Sequence, residues 1–540
     1  MKLAQTALLQ SVAFTALVVT ITPAAAQVAS EEAAEESTQG NEIVVTARRR
    51  DERLQDVPES VTAFSSKDIE NAGIKNLRDV ADLTPNLSQL DNYRPGLARF
   101  QVRGLITPQI GDPPLAFVFD GVTAPDQEFV NQDLVDIEQI EVLRGAQGAL
   151  YGRGAVGGAI NITTKQPTND IEGNVQASYA NGDSWRVSSV VSGPISKDSV
   201  YFRVGGYYAD SDGLIKNVFL NTGADYSRDY GLFGLLKAEL GPNTTFDVRG
   251  QYGNSRSGVG YYQAVTFTQA SIEDFSIPTS QNILGVDRRE IYQISAKLEH
   301  HFDFATLTAV AGYSNASDDT ISDGDYVALP SDGTFFFPGV QQALLDTSAW
   351  TFEGRLTSDN DGPVSWALGS FYQDRKRDSR FSFYDDPSGT APFDPSLIDP
   401  AALIFAILDE NSSKAWAISA QAGYELTDQL EISVAGRFDR DKRTSVDSRD
   451  VAGSFASATF DAFQPKVSLS YKPTPEITVY GGYSKGFRSG GFNEFSGGLT
   501  ARTYGKELSD SYELGFKSSA FGKLLIFNAA IFRIDQKTRN

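Results

Sequence analysis

Gly152, Gly154 and Gly157 match the pattern GxGxxG, with which many proteins hold the pyrophosphate of a dinucleotide. That chemistry needs a strand before the glycines and a helix after them, because the helix N-terminus binds the pyrophosphate. Here Gly158 is followed by an alternating run at residues 159–164 with the period of a strand, and no acidic residue is placed to bind a ribose. No Gly-Lys-Ser or Gly-Lys-Thr triplet follows either, so the sequence argues against a nucleotide site.

Other residues that could do chemistry are few. The two histidines, His300 and His301, are adjacent and stand beside a predicted short turn, where neither is placed to bind a ligand arriving from outside. Four acidic residues in a predicted long loop could bind calcium but lack the full ligand spacing: Asp318, Asp319, Asp323 and Asp325. No serine, histidine and acid arrangement is present, so the sequence predicts no catalytic residue, no metal site and no cofactor.

The same glycines belong to a longer stretch, residues 143–165, which holds six glycines and otherwise reads as strand. Glycine is costly inside a strand unless a bend, a positive φ or a second backbone crowds the position. The stretch therefore predicts a sheet edge that is enclosed by other structure.

Composition narrows the class of protein that encloses this stretch. A chain of 540 residues exceeds one ordinary soluble domain. Its 48 glycines, 22 tyrosines and 34 phenylalanines, with one methionine and no cysteine, favour an extracytoplasmic protein rich in strands, turns and aromatic side chains. The absence of cysteine excludes disulfides and thiolate metal sites. The net charge of −22 argues against nucleic acid as a partner, because a polyanion repels phosphates.

The N-terminal residues predict a targeting signal and a tether, and not a folded domain. Lys2 precedes an apolar run at residues 7–21, and small residues follow at 23–26, which predicts a secretory signal peptide over residues 1–26. Residues 27–41 are acidic and lack apolar periodicity, which predicts a flexible tether. No later segment has the roughly eighteen apolar residues of a membrane-spanning helix, so a membrane-embedded mature protein has to be a closed barrel.

From Glu172 onward the sequence alternates with a period of two in runs of about ten residues, as transmembrane strands do. Trp416, Ile418 and Tyr424 share one face of such a run. Short turns alternate with long links, unlike the even loops of a soluble β-sandwich, and we count about fifteen strands. The short turns lie at residues 193–199, 241–244, 302–304, 359–363, 426–429 and 473–476. The sequence therefore predicts a mainly β protein with a transmembrane antiparallel β-barrel whose long links lie outside.

Four segments ahead of this region stand in the order found in one known family: residues 54–58, 102–104, 117–122 and 140–145. With the glycine-rich stretch, they resemble the plug domain of TonB-dependent outer-membrane receptors, siderophore receptors in particular. The resemblance implies an α+β plug domain at residues 48–167, inside the lumen of a β-barrel at residues 168–540. The family's barrel has about 22 strands. This sequence stops at Asn540 after about fifteen, so the barrel is expected to be incomplete.

A short β-prone segment links the tether to this plug-like region: Glu42, Ile43, Val44, Val45, Thr46 and Ala47. It has no obvious partner strand nearby, and an unpaired extended segment can add to the sheet edge of another protein. The segment resembles the TonB box. The resemblance therefore implies that it binds TonB, the energy-transducing protein of the inner membrane.

Two plug arginines, Arg103 and Arg144, each precede a glycine at a predicted strand end. The resemblance implies that such arginines pair with glutamates of the barrel wall. A buried charge pair is sensitive to the loss of one partner, so it suits a latch. The candidate partners are Glu513 and Glu353, and the four residues together are predicted to form a latch between plug and barrel.

The resemblance implies a receptor in the outer membrane, in contact with its lipid, that binds a scarce and bulky extracellular ligand. TonB would transmit the proton-motive force and displace the plug, so that the ligand is imported. A ferric siderophore is the expected ligand, while saccharides, cobalamin-like cofactors and aromatic compounds stay open. A passive porin or an adhesin would share the barrel but would need neither a TonB box nor a plug. The sequence identifies no substrate-contacting residue.

Overall fold

The computed structural model describes most of the chain, namely residues 43–46, 48–90, 97–108, 111–261, 278–324, 339–359, 362–386, 400–447, 454–493, 502–522 and 524–538. The predicted signal peptide and tether lie outside these residues, as do Glu42 and Ala47. The described chain forms an α+β unit over residues 43–165, here called the plug unit. A large antiparallel sheet follows, here called the barrel sheet.

Two short helices of the plug unit begin where their capping residues predict. Helix α1 (Ser66–Ala72) starts after Ser65 and helix α2 (Leu77–Asp82) starts after Asn76, and each capping side chain accepts a backbone N–H of the first turn. An aspartate three residues on closes a full capping box in both helices. Helix α2 is amphipathic, since it buries Leu77, Val80 and Ala81. None of the described helices is long and apolar enough to span a membrane.

The strands of the plug unit surround an apolar core that includes the buried side chains of Phe100, Phe117, Ile140 and Ile160. Its elements are β1 (Val44–Val45), β2 (Glu52–Arg53), β3 (Val61–Ser65), β4 (Leu87–Leu90), β5 (Arg99–Val102), β6 (Leu105–Ile106), β7 (Leu115–Phe119), β8 (Val122–Thr123), a 3-10 turn (Gln127–Phe129), β9 (Ile137–Arg144), α3 (Gly148–Tyr151) and β10 (Gly158–Thr164). Strands β3, β9, β10, β7 and β8 form one sheet in that order. The glycine-rich stretch supplies its central strand, β10, which pairs with β9 on one side and β7 on the other, so the expectation of a sheet edge was wrong.

The barrel sheet has fifteen strands, which confirms the expected number and the mainly β fold. They are β11 (Glu172–Ala180), β12 (Ser184–Ser196), β13 (Val200–Ser211), β16 (Ser227–Gly241), β17 (Thr244–Ser257), β18 (Val286–His301), β19 (Ala305–Asp323), β20 (Gly339–Ser358), β21 (Val364–Asp385), β22 (Leu403–Thr427), β23 (Leu430–Asp447), β24 (Ser454–Thr474), β25 (Ile477–Arg488), β28 (Glu507–Ala520) and β29 (Leu525–Thr538). Two hairpins lie in its long connections, β14 (Lys216–Asn217) with β15 (Thr222–Gly223) and β26 (Gly491–Phe492) with β27 (Thr503–Tyr504). Among the described residues, edge strands β11 and β29 do not pair with each other.

From β12 onward, short turns join the strands at one end of the barrel sheet and longer connections join them at the other, as predicted, whereas β11 and β12 are joined by a three-residue turn at the end of the longer connections. The strands nevertheless reach further into the long links than the sequence indicates. Asp318, Asp319 and Asp323 were expected in a loop, but β19 continues through Asp323, because β18 pairs with it as far as Ile321 and β20 as far as Asp323. Their backbones are therefore held in a sheet and cannot fold as a calcium-binding loop, and Asp325 lies outside the described residues.

The outer face of the barrel sheet is apolar and aromatic, while the inner face is polar. Trp416, Ile418 and Tyr424 are exposed on β22, and the alternate residues at positions 417, 419, 421 and 423 face inward, as the alternation predicts. Aromatic rings pair across neighbouring strands on the outer face, for example Tyr313 and Trp350 with ring centres 4.8 Å apart. This arrangement matches a surface that contacts lipid.

Candidate functional site

The plug unit lies against the inner face of the barrel sheet, and charged side chains join the two on one strand after another. Ion pairs link Asp133 with Arg186, Asp136 with Arg203, Asp120 with Arg249, Asp112 with Arg375, and Glu59 with Lys466. Because strands from β12 to β24 all contact one small unit, the sheet must curve around it. The interface between plug unit and barrel sheet is the candidate functional site.

The glycine-rich stretch passes close to the barrel wall, which confirms that it is enclosed by other structure. A Cβ on Gly148 would overlap the side-chain amide of Gln464. Gly152 has a φ of +80°, and a Cβ there would lie 2.6 Å from the guanidinium of Arg437. Glycine is needed at these positions because the barrel leaves no room for a side chain and because the backbone at Gly152 adopts a positive φ.

Replacing Gly152 with alanine is expected to lower the free energy of unfolding by about 1–3 kcal/mol, because an alanine there is held at an unfavourable φ. Urea unfolding of the purified chain measures the change. Gly250→Ala is the matched control, since a Cβ at Gly250 in β17 meets no described atom within 4 Å. Equal stability of the two variants would contradict the close approach of the plug unit to the wall.

The first predicted latch pair is brought together. Arg103 Nη2 lies 2.7 Å from Glu513 Oε2, and the Arg103 side chain is only 2% exposed. Glu513 also accepts a hydrogen bond from the Ser60 N–H at 3.0 Å and from the Tyr480 hydroxyl at 2.8 Å. The guanidinium of Arg103 lies 4.0 Å from the centre of the Phe532 ring, a cation–π contact. One barrel glutamate therefore holds two points of the plug unit.

The other two predicted latch residues have different partners from those expected. Arg144 donates to the Pro85 carbonyl at 3.1 Å, inside the plug unit, because β9 ends beside the plug unit's own loop. Glu353 lies 3.5 Å from Arg49 and 3.4 Å from Arg355. Glu353 therefore pairs not with Arg103 or Arg144, as had been expected, but with Arg49 of the plug unit, in the segment that follows the predicted TonB box.

The predicted TonB box is not an unpaired segment. Val44–Val45 pairs antiparallel with Glu52–Arg53, and the Leu54 N–H donates to the Ile43 carbonyl at 2.9 Å. The expectation of a free segment was wrong because the chain turns back sharply at Arg49, whose φ is +64°, and so supplies its own partner. The described part of the box thus forms one strand of a minimal hairpin.

This hairpin is anchored to the sheet of the plug unit by a few polar contacts. The Thr46 N–H donates to Glu141 at 2.7 Å, and the Gln139 side chain donates to the Val44 carbonyl at 2.7 Å. The side chain of Val45 is fully buried, whereas Val44 is 47% exposed. The segment is therefore held by these polar contacts and by the buried side chain of Val45, while Val44 faces solvent.

The arginine triplet at residues 48–50 holds the turn of this hairpin against the barrel wall. Arg48 lies 2.8 Å from Glu431, and Arg49 lies 3.5 Å from Glu353. The triplet was not among the site residues expected from the sequence. The available signal was three adjacent cations between a β-prone segment and a plug domain, which need several acidic partners when they are buried.

At the end of the plug unit that faces the long connections, Asp112 meets three arginines of the barrel. Its Oδ1 lies 3.2 Å from Arg375 Nη1, its Oδ2 accepts from Arg443, and its carbonyl accepts from Arg488 at 3.0 Å. Burial alone would raise the pKa of Asp112, but the guanidinium groups of Arg443 and Arg375 hold it well below its usual value. The sequence reasoning missed this cluster, which is here called the apex cluster.

A cavity of about 320 Å³ separates the plug unit from the wall between β13 and β18. It is lined by Asp133 and Asp136 of the plug unit and by Arg203, Arg249 and Arg289 of the wall. In the part of the chain that the structure describes, no group of three His, Cys, Asp or Glu residues is arranged to hold a metal ion. The carboxylates of the plug unit and the arginines of the wall can therefore form and exchange ion pairs along this polar interface.

Comparison with known proteins agrees with this architecture. Residues 251–539 match the family model described as TonB dependent receptor-like, beta-barrel, and residues 53–159 match the TonB-dependent Receptor Plug Domain. The pesticin receptor of Yersinia pestis is 24% identical over 487 residues, which cover 88% of this chain and 67% of that protein. The ferripyoverdine receptor of Pseudomonas aeruginosa is 22% identical over 535 residues, which cover 92% of this chain and 60% of that protein.

Solved structures show the same fold. The ferric yersiniabactin uptake receptor FyuA from Yersinia pestis superposes with a TM-score of 0.77 at 20% identity, over 89% of this chain and 72% of that one. The chain spans 60% to 67% of the length of the two relatives compared above. Since the barrel model alone covers more than half of the chain, the chain belongs to the TonB-dependent receptor family, whose place is the outer membrane.

Proposed function

We propose that this chain imports a scarce extracellular ligand across the outer membrane with energy supplied through TonB. The main support is the plug unit held against the inner face of the barrel sheet by ion pairs, because a lumen filled in this way admits a bulky ligand only when the plug moves. A passive porin or an adhesin has no use for such a unit. The proposal is for a transporter and not for an enzyme.

The predicted TonB box supports the coupling part of the proposal. Strand addition requires an extended segment whose backbone can be presented to a partner's sheet edge. Strand β1 is held by a two-residue pairing with β2 and by side-chain contacts, so its release breaks few hydrogen bonds. The arginine triplet behind it transmits a pull to the wall contacts at Glu431 and Glu353.

The predicted latch is proposed to keep the plug unit in place between import events. Arg103 and Glu513 are buried together, and separating them leaves two charges without partners. Such a pair holds the plug unit in the absence of force. It separates when a pull opens the interface and water hydrates the two charges. We therefore assign Arg103, Glu513 and the Ser60 N–H to this latch, and leave Arg144 and Glu353 out of it.

For the ligand we propose a ferric siderophore. The names of the relatives support this choice, since they include the ferripyoverdine receptor and the ferrioxamine B receptor of Salmonella typhimurium, the latter 24% identical over 533 residues. Saccharides, cobalamin-like cofactors and aromatic compounds are the alternative ligand classes. A receptor for any of these classes would have the same plug and barrel and would differ in the residues that contact the ligand.

The test is uptake of radioactive iron by a strain deleted for the gene and by the same strain carrying it. Ferrioxamine B and ferripyoverdine are the probes. We expect the gene to restore uptake of a ferric complex, and we expect a protonophore to abolish it. Uptake that is insensitive to the protonophore would overturn energised import. Restored growth on a saccharide, without uptake of any ferric complex, would overturn the ligand class alone.

A further inference from the structure

The apex cluster lies where a ligand from outside first meets the plug unit. Asp112 is on the side of the plug unit that faces the hairpin of β26 and β27, and that hairpin belongs to the long connection between β25 and β28. The cavity beside Asp112 is lined by Gly491 and Tyr504 of this hairpin. The carboxylate is thus placed between the external connections and the plug unit.

Two guanidinium groups of the wall converge on this one carboxylate. Arg375 in β21 contacts one oxygen and Arg443 in β23 contacts the other, and both arginines are buried. Paired arginine forks are matched in shape and charge to a carboxylate or a similar anionic oxygen group. Arg375 and Arg443 therefore form a site for an oxyanion, which Asp112 occupies.

Each arginine keeps a second carboxylate that does not depend on Asp112. Arg375 lies 3.0 Å from Asp126, and Arg443 lies 2.8 Å from Asp441. Removing a buried charge's only partner is strongly unfavourable, but here neither arginine would be left without one. Asp112 is consequently the exchangeable member of the cluster.

There is also space for an exchange. Cavities of about 40 Å³ and 50 Å³ lie on the two sides of Asp112, and each is larger than the volume that one water molecule needs. The first is lined by Arg153 and Gln373, and the second by Arg375 and Arg443. An arriving carboxylate can approach the arginines beside Asp112 before Asp112 leaves.

We propose that Arg375 and Arg443 form an oxyanion-binding site that Asp112 fills in the empty receptor and that a carboxylate or similar anionic group of the ligand takes over. This inference rests on the proposed function, since it concerns how the imported ligand is recognised. Ligand binding then frees the plug unit from the wall at this point. The class of ligand favoured is a ferric complex that carries a free anionic oxygen group.

The test is calorimetric titration of the full chain, purified in detergent, with citrate as the probe. Asp112→Asn keeps the shape of the side chain but removes its charge, so the arginines lose the competing carboxylate. We expect Asp112→Asn to bind citrate at least tenfold more tightly than the unaltered chain. Adding Arg375→Gln to Asp112→Asn is expected to cancel the gain, because citrate then loses one of its two guanidinium partners.

Asp82→Asn is the matched control. Asp82 is an exposed carboxylate in the last turn of α2, so this variant also removes one negative charge from the plug unit but leaves the apex cluster intact. It is expected to bind citrate as the unaltered chain does. Circular dichroism of every variant checks that the barrel is folded, and Asp112→Ser provides a second neutral variant in case Asp112→Asn does not fold.

Citrate binding that is equal or weaker in the neutral Asp112 variants would overturn the proposal. An equal gain in Asp82→Asn would also overturn it, because the effect would then reflect net charge alone. Neither result touches the proposed function, which depends on energised uptake in cells and not on citrate binding by the purified chain. Loss of protonophore-sensitive uptake, with the citrate result as expected, would instead overturn the proposed function and leave the oxyanion site standing.

Discussion

Replacing Val44 with proline is expected to abolish energised import while ligand binding at the cell surface stays unchanged. Proline removes the backbone N–H at this position, and strand addition to TonB depends on main-chain hydrogen bonds. The docked hairpin does not need that N–H. Because the Leu54 N–H donates to the Ile43 carbonyl, the alternation of an antiparallel ladder puts Val44, opposite Arg53, at a non-hydrogen-bonded position.

Uptake and surface binding of radioactive ferrioxamine B, measured in the same cells, separate the two effects. Val44→Ala is the matched control, since it keeps the N–H and trims a side chain that is 47% exposed. It is expected to import as the unaltered chain does. Import by Val44→Pro at the original rate would show that this segment does not couple the receptor to TonB. Equal loss in both variants would assign the effect to the side chain and not to the backbone.

Replacing Glu513 with alanine is expected to cost about 3–5 kcal/mol of the free energy that holds the plug unit in place, the usual range when a buried charge loses its partner. Arg103 is left 2% exposed without a carboxylate, and the Ser60 N–H and the Tyr480 hydroxyl lose their acceptor. A loosened plug admits solutes that the intact receptor excludes. Sensitivity of cells to a large antibiotic such as vancomycin is the readout, and we expect it to rise.

A double-mutant cycle shows whether the effect belongs to the pair. Arg103→Ala with Glu513→Ala removes both charges, so it is expected to leak less than Glu513→Ala alone. Glu290→Ala is the matched control, because Glu290 is an exposed barrel glutamate that bonds to its neighbours Tyr252 and Asn254. Equal leakage from Glu290→Ala and Glu513→Ala would contradict the assignment of a latch.

The strands and short turns could be predicted from sequence because both signals are local. Alternation along β22 places Trp416 and Ile418 outward, and the connections at residues 302–304 and 359–363 are short enough to read directly. The positions at which the strands end could not be predicted as well from the sequence. Strand β19 runs on through Asp323 because β18 pairs with it as far as Ile321 and β20 as far as Asp323, and such pairing depends on other segments of the chain.

The candidate site was predictable where a motif marks a position and not where partners are far apart. Arg103 lies in the plug-like segment at residues 102–104, and Glu513 was one of the two candidate partners for the plug arginines, so this contact was among those expected. Asp112 and Arg443 are separated by 331 positions, and nothing in either neighbourhood marks them as partners. The pairing of the TonB box with Glu52–Arg53 was missed because a two-residue strand beyond a sharp turn leaves almost no periodic signal.

The ion pairs between plug unit and barrel wall have a consequence for the work of transport. The two large apolar clusters of the described chain are built almost entirely from plug residues, and the apolar contacts with the wall are small, such as that of Phe129 with Ile291 and Ala316. Charged groups pulled apart in a wet lumen can be hydrated, whereas separated apolar faces remain unfavourable in water. Water can therefore replace the ion-pair partners at this interface when the plug unit and the wall separate. The plug can shift as a body with its hydrophobic core intact, and it can reseat itself through the same charges without refolding.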